Sequence, residues 1–124
     1  MKVVLSSDEI IRGLKHYRRI AKQDLLRSAE TDNPDAFRRH AEARRTVYAH
    51  LAEIAQTRSP SDVVREALRR YQELPFVTGT DDASFTEIKG EENALENFFL
   101  MIGLEPKVRR EVRSQRPPLS NAPH

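Results

Sequence analysis

TDNPDAF, residues 31–37, lies between two long stretches of helical periodicity, and its reading decides the fold. Asn33 is a strong helix N-cap residue, Pro34 suits a first helical turn, and Asp35 suits the positive end of the new helix dipole. One helix is therefore expected to stop near Thr31-Asp32-Asn33 and a second to start at once. Two helices of about 20 residues joined by so short a link are expected to fold back as a long antiparallel hairpin.

Upstream, Ser6 and Glu9 stand at capping-box spacing. Ile10, Leu14, Tyr17, Ala21 and Leu25 then fall on one helical stripe, while Arg12, Lys15, Arg19 and Lys22 recur on a different face. Downstream, Phe37, Ala41, Tyr48, Leu51 and Ala55 continue a second stripe, flanked by Val47 and Ile54. Arg44 interrupts it. A charge left unpaired there is costly, so it must pair, snorkel or face a partner. In a hairpin folded about residue 32, Asp24 comes within about one turn of Arg44. An internal Arg44–Asp24 pairing is the first expectation, and an anion or nucleic-acid contact at Arg44 is the sharper alternative.

TRSPSDVVREALRRY, residues 57–71, brings Ser59 as N-cap, Pro60 in the first turn and Asp62 as an early acid. Val63, Val64, Ala67, Leu68, Tyr71 and Leu74 give this third helix its apolar face, and Pro75 ends it. With the preceding AHLAEIAQ, the run resembles the helix–turn–helix portion of ribbon-helix-helix repressors, over residues 49–71. That family reads DNA with a short strand before its first helix. FRRHAEARRTVY occupies the position here and reads as continuous helix, so the stretch is taken as a well-capped helix.

PFVTGTDDASFT, residues 75–86, has no helical period and reads as a loop, with a brief pairing of Phe76-Val77 to Val3-Val4 as one option. The fourth helix is expected to begin near Gly90. Its Leu95, Phe98, Phe99 and Ile102 are assigned to core or interface, and Gly103-Leu104 to a left-handed stop. PKVRREVRSQ suggests a short basic fifth helix from Pro106, followed by the proline-rich RPPLSNAPH. The chain thus reads as one helical domain over 1–105, with two shorter helices packed on the hairpin as a small all-α bundle. A basic, partly disordered C-terminal arm follows over 106–124.

Chemistry is constrained by what is missing. The chain has 124 residues and no cysteine, which excludes disulfides, thiolate metal sites and a cysteine nucleophile. No apolar run reaches membrane-spanning length and no secretory signal is legible, so no membrane contact and a cytoplasmic setting are expected. Metal-ligating spacings such as Glu-x-x-His on facing helices are missing; His16, His50 and Glu53 are read as surface residues. No catalytic residue, cofactor motif or metal site is assigned.

The net charge of +2 hides a strong segregation. Residues 1–72 carry 15 Lys/Arg against 10 Asp/Glu, residues 73–105 carry 1 against 8, and residues 106–124 carry 5 against 1. Such asymmetry points either to a surface for a polyanion or to an acidic segment meeting a basic one. The first functional expectation is a non-enzymatic helical interaction or regulatory protein, self-associating through apolar helix faces as a homodimer or binding a protein partner. The alternative is a nucleic-acid-binding regulator using basic helix faces and the arm residues Lys107, Arg109, Arg110 and Arg113.

Overall fold

A computed structural model describes residues 3–76 and 86–118. Among them the chain is all-helical with no strand. Its helices are α1 (Ser7–Leu26), α2 (Pro34–Thr57), α3 (Pro60–Glu73), α4 (Thr86–Ile102) and α5 (Pro106–Ser114), with a single 3₁₀ turn at Ser28–Glu30 after α1.

Each of the first three helices starts where its side chains satisfy the free N–H groups of a first turn. The Ser6 hydroxyl accepts from the Glu9 N–H, and the Glu9 carboxylate accepts from the Ser6 N–H, completing a capping box. That contact also holds the Glu9 carboxyl below its usual range. Asn33 Oδ1 accepts from the Ala36 N–H, and Ser59 Oγ from the Asp62 N–H, each followed by a first-turn proline. Such caps contribute about 1 kcal/mol each.

α2 is the central element. α1 packs along one side of it and α4 along another, while α3 and α5 pack on each other at the far end of the bundle. Tyr17 stacks on Tyr48 and Asp24 pairs with Arg44, so residue numbers rise along α1 as they fall along the facing part of α2. The core joins Ile10, Leu14, Tyr48, Leu51, Val63 and Val64 to Leu95, Phe98 and Phe99, all essentially excluded from solvent.

Three departures from the sequence reading have physical causes. α1 unwinds at Leu26, five residues before the expected stop: Ser28 Oγ donates to the Leu25 carbonyl and Thr31 Oγ1 to the Ser28 carbonyl, favouring a tighter turn there. α4 already runs from Thr86, so Gly90 lies inside it. A Cβ at Gly90 would stand 2.7 Å from the His40 carbonyl oxygen and 2.9 Å from Ala43 Cβ, so the glycine serves close approach of α4 to α2. Finally, Phe76 pairs with the C-terminal segment, its N–H donating to the Pro117 carbonyl. Val77 and the rest of the loop through residue 85, and residues 119–124, lie outside the described residues. At the end of α4, Gly103 takes φ 72° and the Leu104 N–H reaches back to the Phe99 carbonyl, closing the helix as its Gly-Leu pair implies.

Candidate nucleic-acid interface

The acidic segment meets basic residues of the same chain. Arg109 Nη1 donates to Glu96 Oε1 at 3.0 Å, and Glu96 Oε2 accepts from the Tyr71 hydroxyl at 3.3 Å. Burial, with the Glu96 charge, pushes the Tyr71 phenol above its ordinary pKa. Arg70 approaches Glu91 at 3.7 Å and shares a 2.8 Å contact with His50 Nδ1. Among the described residues Arg116 is the most enclosed cation, only 4% exposed. Its guanidinium bonds Glu92, the Leu74 carbonyl and the Pro75 carbonyl, and lies over the rings of Tyr71 and Phe76. The C-terminal segment through Pro118 is therefore fastened to α3 and α4.

Of the residues assigned to a basic arm, Arg109 is engaged by Glu96, and Arg113 sits 5.7 Å from the Phe76 ring. Lys107 and Arg110 are exposed without an ion pair among the described residues. Leu95, Phe98 and Phe99 are core, and Ile102 packs partly buried against them. That apolar face is spent inside the chain.

Arg44 is half-hidden between α1 and α2. Its Nη2 donates to Asp24 Oδ2 at 2.8 Å, and its Nε donates to His40 Nδ1 at 3.1 Å. Burial first, then the neighbouring Arg44 charge, holds the His40 pKa below the usual imidazole range. The imidazole is thus kept neutral with Nδ1 as acceptor, and Arg44 has its partners within the bundle.

On α2 and α3 the arginines are largely neutralised one turn away. Arg38 and Arg39 pair with Asp35, Arg38 also with Glu42, Arg65 with Asp62, and Arg69 with Glu66 and Glu73. α1 differs. Arg12, Lys15, Arg18, Arg19 and Lys22 are all exposed, and none makes an ion pair among the described residues. Arg12 lies near Glu9, and Arg18 shares a groove with Glu42 and Glu53 without pairing with either. Their spacing of three and four residues places them on one outward face, opposite the Ile10–Leu14–Ala21 stripe. From Arg12 to Lys22 this ridge runs about 15 Å.

Arg18 also borders an open groove of about 540 Å³ whose other wall is the outer face of α2, with Glu42, Arg45, Thr46, His50 and Glu53. Arg45 has no ion pair among the described residues, so two arginines from different helices, neither ion-paired, share this groove with Glu42 and Glu53. The pattern along α1 is visible in the sequence; the meeting of Arg18 with Arg45 is not, because it depends on how α1 lies on α2. Arg116 has no sequence signal either, standing in a proline-rich stretch that reads as tail.

Among the described residues no group of three or more His, Asp or Glu is placed to hold a metal ion, and no helix is long and apolar enough to cross a membrane. No protein-family model matches the chain, and no characterised protein or solved structure matches it either.

Proposed function

We propose that this is a non-enzymatic helical binding protein that engages nucleic acid through the cationic ridge of α1, Arg12, Lys15, Arg18, Arg19 and Lys22. The observation that carries the reading is selective neutralisation. The basic residues of α2 and α3 mostly have carboxylates within the chain, as do Arg109 and Arg116 of the C-terminal segment, whereas the five aligned cations of α1, like the scattered Lys107, Arg110 and Arg113, have none within ion-pair distance among the described residues. Aligned like charges cost stability on a helix, and a polyanion removes that cost by replacing its own counterions with them.

The test is fluorescence anisotropy with labelled nucleic acid at about 50 and 200 mM salt. Four or five phosphate contacts predict that affinity falls about 100- to 500-fold between the two. Replacing Arg12, Lys15, Arg19 and Lys22 by Gln should remove most of the binding. No binding at the lower salt by any nucleic acid sinks the reading.

Self-association is the second reading. It is favoured by Leu100, 79% exposed at the rim of a small notch lined by Phe99, Leu104 and Pro106. Since Leu95, Phe98 and Phe99 are buried, and the other exposed large apolar residues, Val4, Ile20 and Leu26, belong to α1 or the segment before it, this leucine is a narrower basis than five aligned cations. Sedimentation of the wild type and Leu100→Asp checks it: a dimer lost on substitution supports this reading, and a wild-type monomer ends it.

A further inference from the structure

We infer that the ligand class of the α1 ridge is a nucleic-acid duplex, held through its phosphates, rather than a single strand. This rests on the nucleic-acid reading above and narrows it. Single-strand sites pair a basic groove with aromatic rings on which bases stack. Among the described residues the Phe and Tyr rings are occupied or set apart from the ridge. Tyr17 stacks on Tyr48, Tyr71 meets Phe99 edge to face, and Phe98 leans on Phe99. Phe76 is covered by the guanidinium groups of Arg116 and Arg113. Phe37 is half-buried in a depression with Thr31 and Thr86 whose lining includes none of the ridge cations. Beside the ridge, the exposed ring is His16, set edge-on against Tyr17 at 5.8 Å.

The second argument is rigidity. The ridge is a straight run of cations about 15 Å long on a helix fixed by its packing against α2. A fixed charge array gains most from a fixed, dense counter-array. A duplex supplies one charge per about 1.7 Å of axis, and each contact releases more counterion than on a single strand, about 0.9 against 0.7. For four contacts at 50 mM salt, that difference alone favours the duplex about tenfold, taking equal affinities at 1 M.

The experiment titrates the full chain with a labelled 20-base-pair mixed-sequence DNA duplex and, separately, with each of its strands, at about 50 mM salt. The expected result is duplex binding at least about tenfold tighter than either strand, as those salt slopes imply. The same binding should be lost in the R12Q/K15Q/R19Q/K22Q variant and kept within threefold in K107Q/R110Q, with far-UV circular dichroism confirming that both variants are helical. Strands binding as well as the duplex overturn this inference while leaving the nucleic-acid reading standing. Loss of duplex binding in K107Q/R110Q but not in the ridge variant overturns the ridge as the site. Failure of duplex and strands alike removes both proposals.

Discussion

Arg116 Nη1 donates a 2.6 Å hydrogen bond to Glu92 Oε2, tying the C-terminal segment to a helix 24 residues earlier. The same guanidinium spans the Leu74 and Pro75 carbonyls at 2.9 Å each, where α3 has ended and no helical N–H remains to satisfy them. Its face lies 4.7 Å from the Phe76 ring and 5.0 Å from that of Tyr71. One planar fork thus serves a carboxylate, two orphan carbonyls and two rings, a combination that suits arginine and not lysine.

Replacing Arg116 by Met keeps most of the packing volume but leaves Glu92 and both carbonyls without their donor. The expected loss is about 3 kcal/mol, in the range for breaking one half of an enclosed ion pair. For a chain of this size that lowers Tm by roughly 10 °C. Glu92→Gln keeps an acceptor for Nη1 and should cost only about 1 kcal/mol. Thermal melts of both variants check the ordering; an Arg116→Met protein that melts within 2–3 °C of wild type contradicts the role given to this residue.

Two glycines inside helices separate a backbone contact from a side-chain one. At Gly90 a Cβ would press on the His40 carbonyl and Ala43 Cβ, so α4 and α2 must move apart. At Gly13 the first obstacle is Met101 Sδ, the far end of a side chain with three rotatable bonds. Gly90→Ala is expected to destabilise by about 1–3 kcal/mol through overpacking. Gly13→Ala should be close to neutral, because the roughly 1 kcal/mol that alanine gains in a helix offsets the shift of Met101. Denaturant midpoints of the two variants in the opposite order would reject this account of the α2–α4 contact.

How much of this was legible follows from which interactions are local. Ser6, Asn33 and Ser59 announce their helices because a cap is a contact within three or four residues, and the apolar stripes of α1 to α4 announce a helical bundle because burial follows the helical period. Arg44 was legible as an oddity, and Asp24 as its partner, because a short link fixes which parts of α1 and α2 face each other. The start of α4 at Thr86 was not: Gly90 is a weak helix former, and its reason for being there is the backbone of α2, far away in sequence. The role of Arg116 was hidden for the same reason, since neither the Leu74 carbonyl nor Glu92 is near it along the chain. Charge totals left open whether the basic residues meet the acidic segment or a polyanion, and could not say which cations would stay without a carboxylate; the aligned set on α1 carries the functional reading.

His40 makes stability depend on pH with a definite sign. Its neutral Nδ1 accepts from Arg44 Nε, so a proton there removes the acceptor and adds a cation beside Arg44 and Lys89, only partly offset by Asp24. Because its folded-state pKa is depressed, the unfolded chain takes up the proton first as the pH falls. The stability this residue contributes is complete above the unfolded value of about 6.5 and is lost as pH drops through the lowered folded value. Wild-type Tm should therefore fall between about pH 7.5 and 5, and His40→Gln, which keeps an acceptor without a titrating ring, should fall less. An equal fall in both proteins would show that other groups govern the acid limb.

The α1 ridge makes a last prediction that needs no ligand. Arg12, Lys15, Arg18, Arg19 and Lys22 form five like-charged pairs at spacings of three or four residues: 12–15, 15–18, 15–19, 18–22 and 19–22. Each such pair destabilises a helix by about 0.2–0.5 kcal/mol, and salt screens the repulsion. Substituting Gln at Arg12, Lys15, Arg19 and Lys22 removes all five, so the variant should be about 1–2 kcal/mol more stable than wild type at low salt. The attraction between Arg12 and the first-turn acids Asp8 and Glu9 opposes part of the gain. Raising salt from about 20 to 300 mM should stabilise the wild type and leave the variant nearly flat, closing the gap between them. If these cations were instead holding the fold together, the variant would melt lower at every salt concentration. A face whose charges weaken the free protein and whose removal abolishes binding is a face kept for its ligand, and the two measurements on one variant distinguish that case from a merely solvated helix.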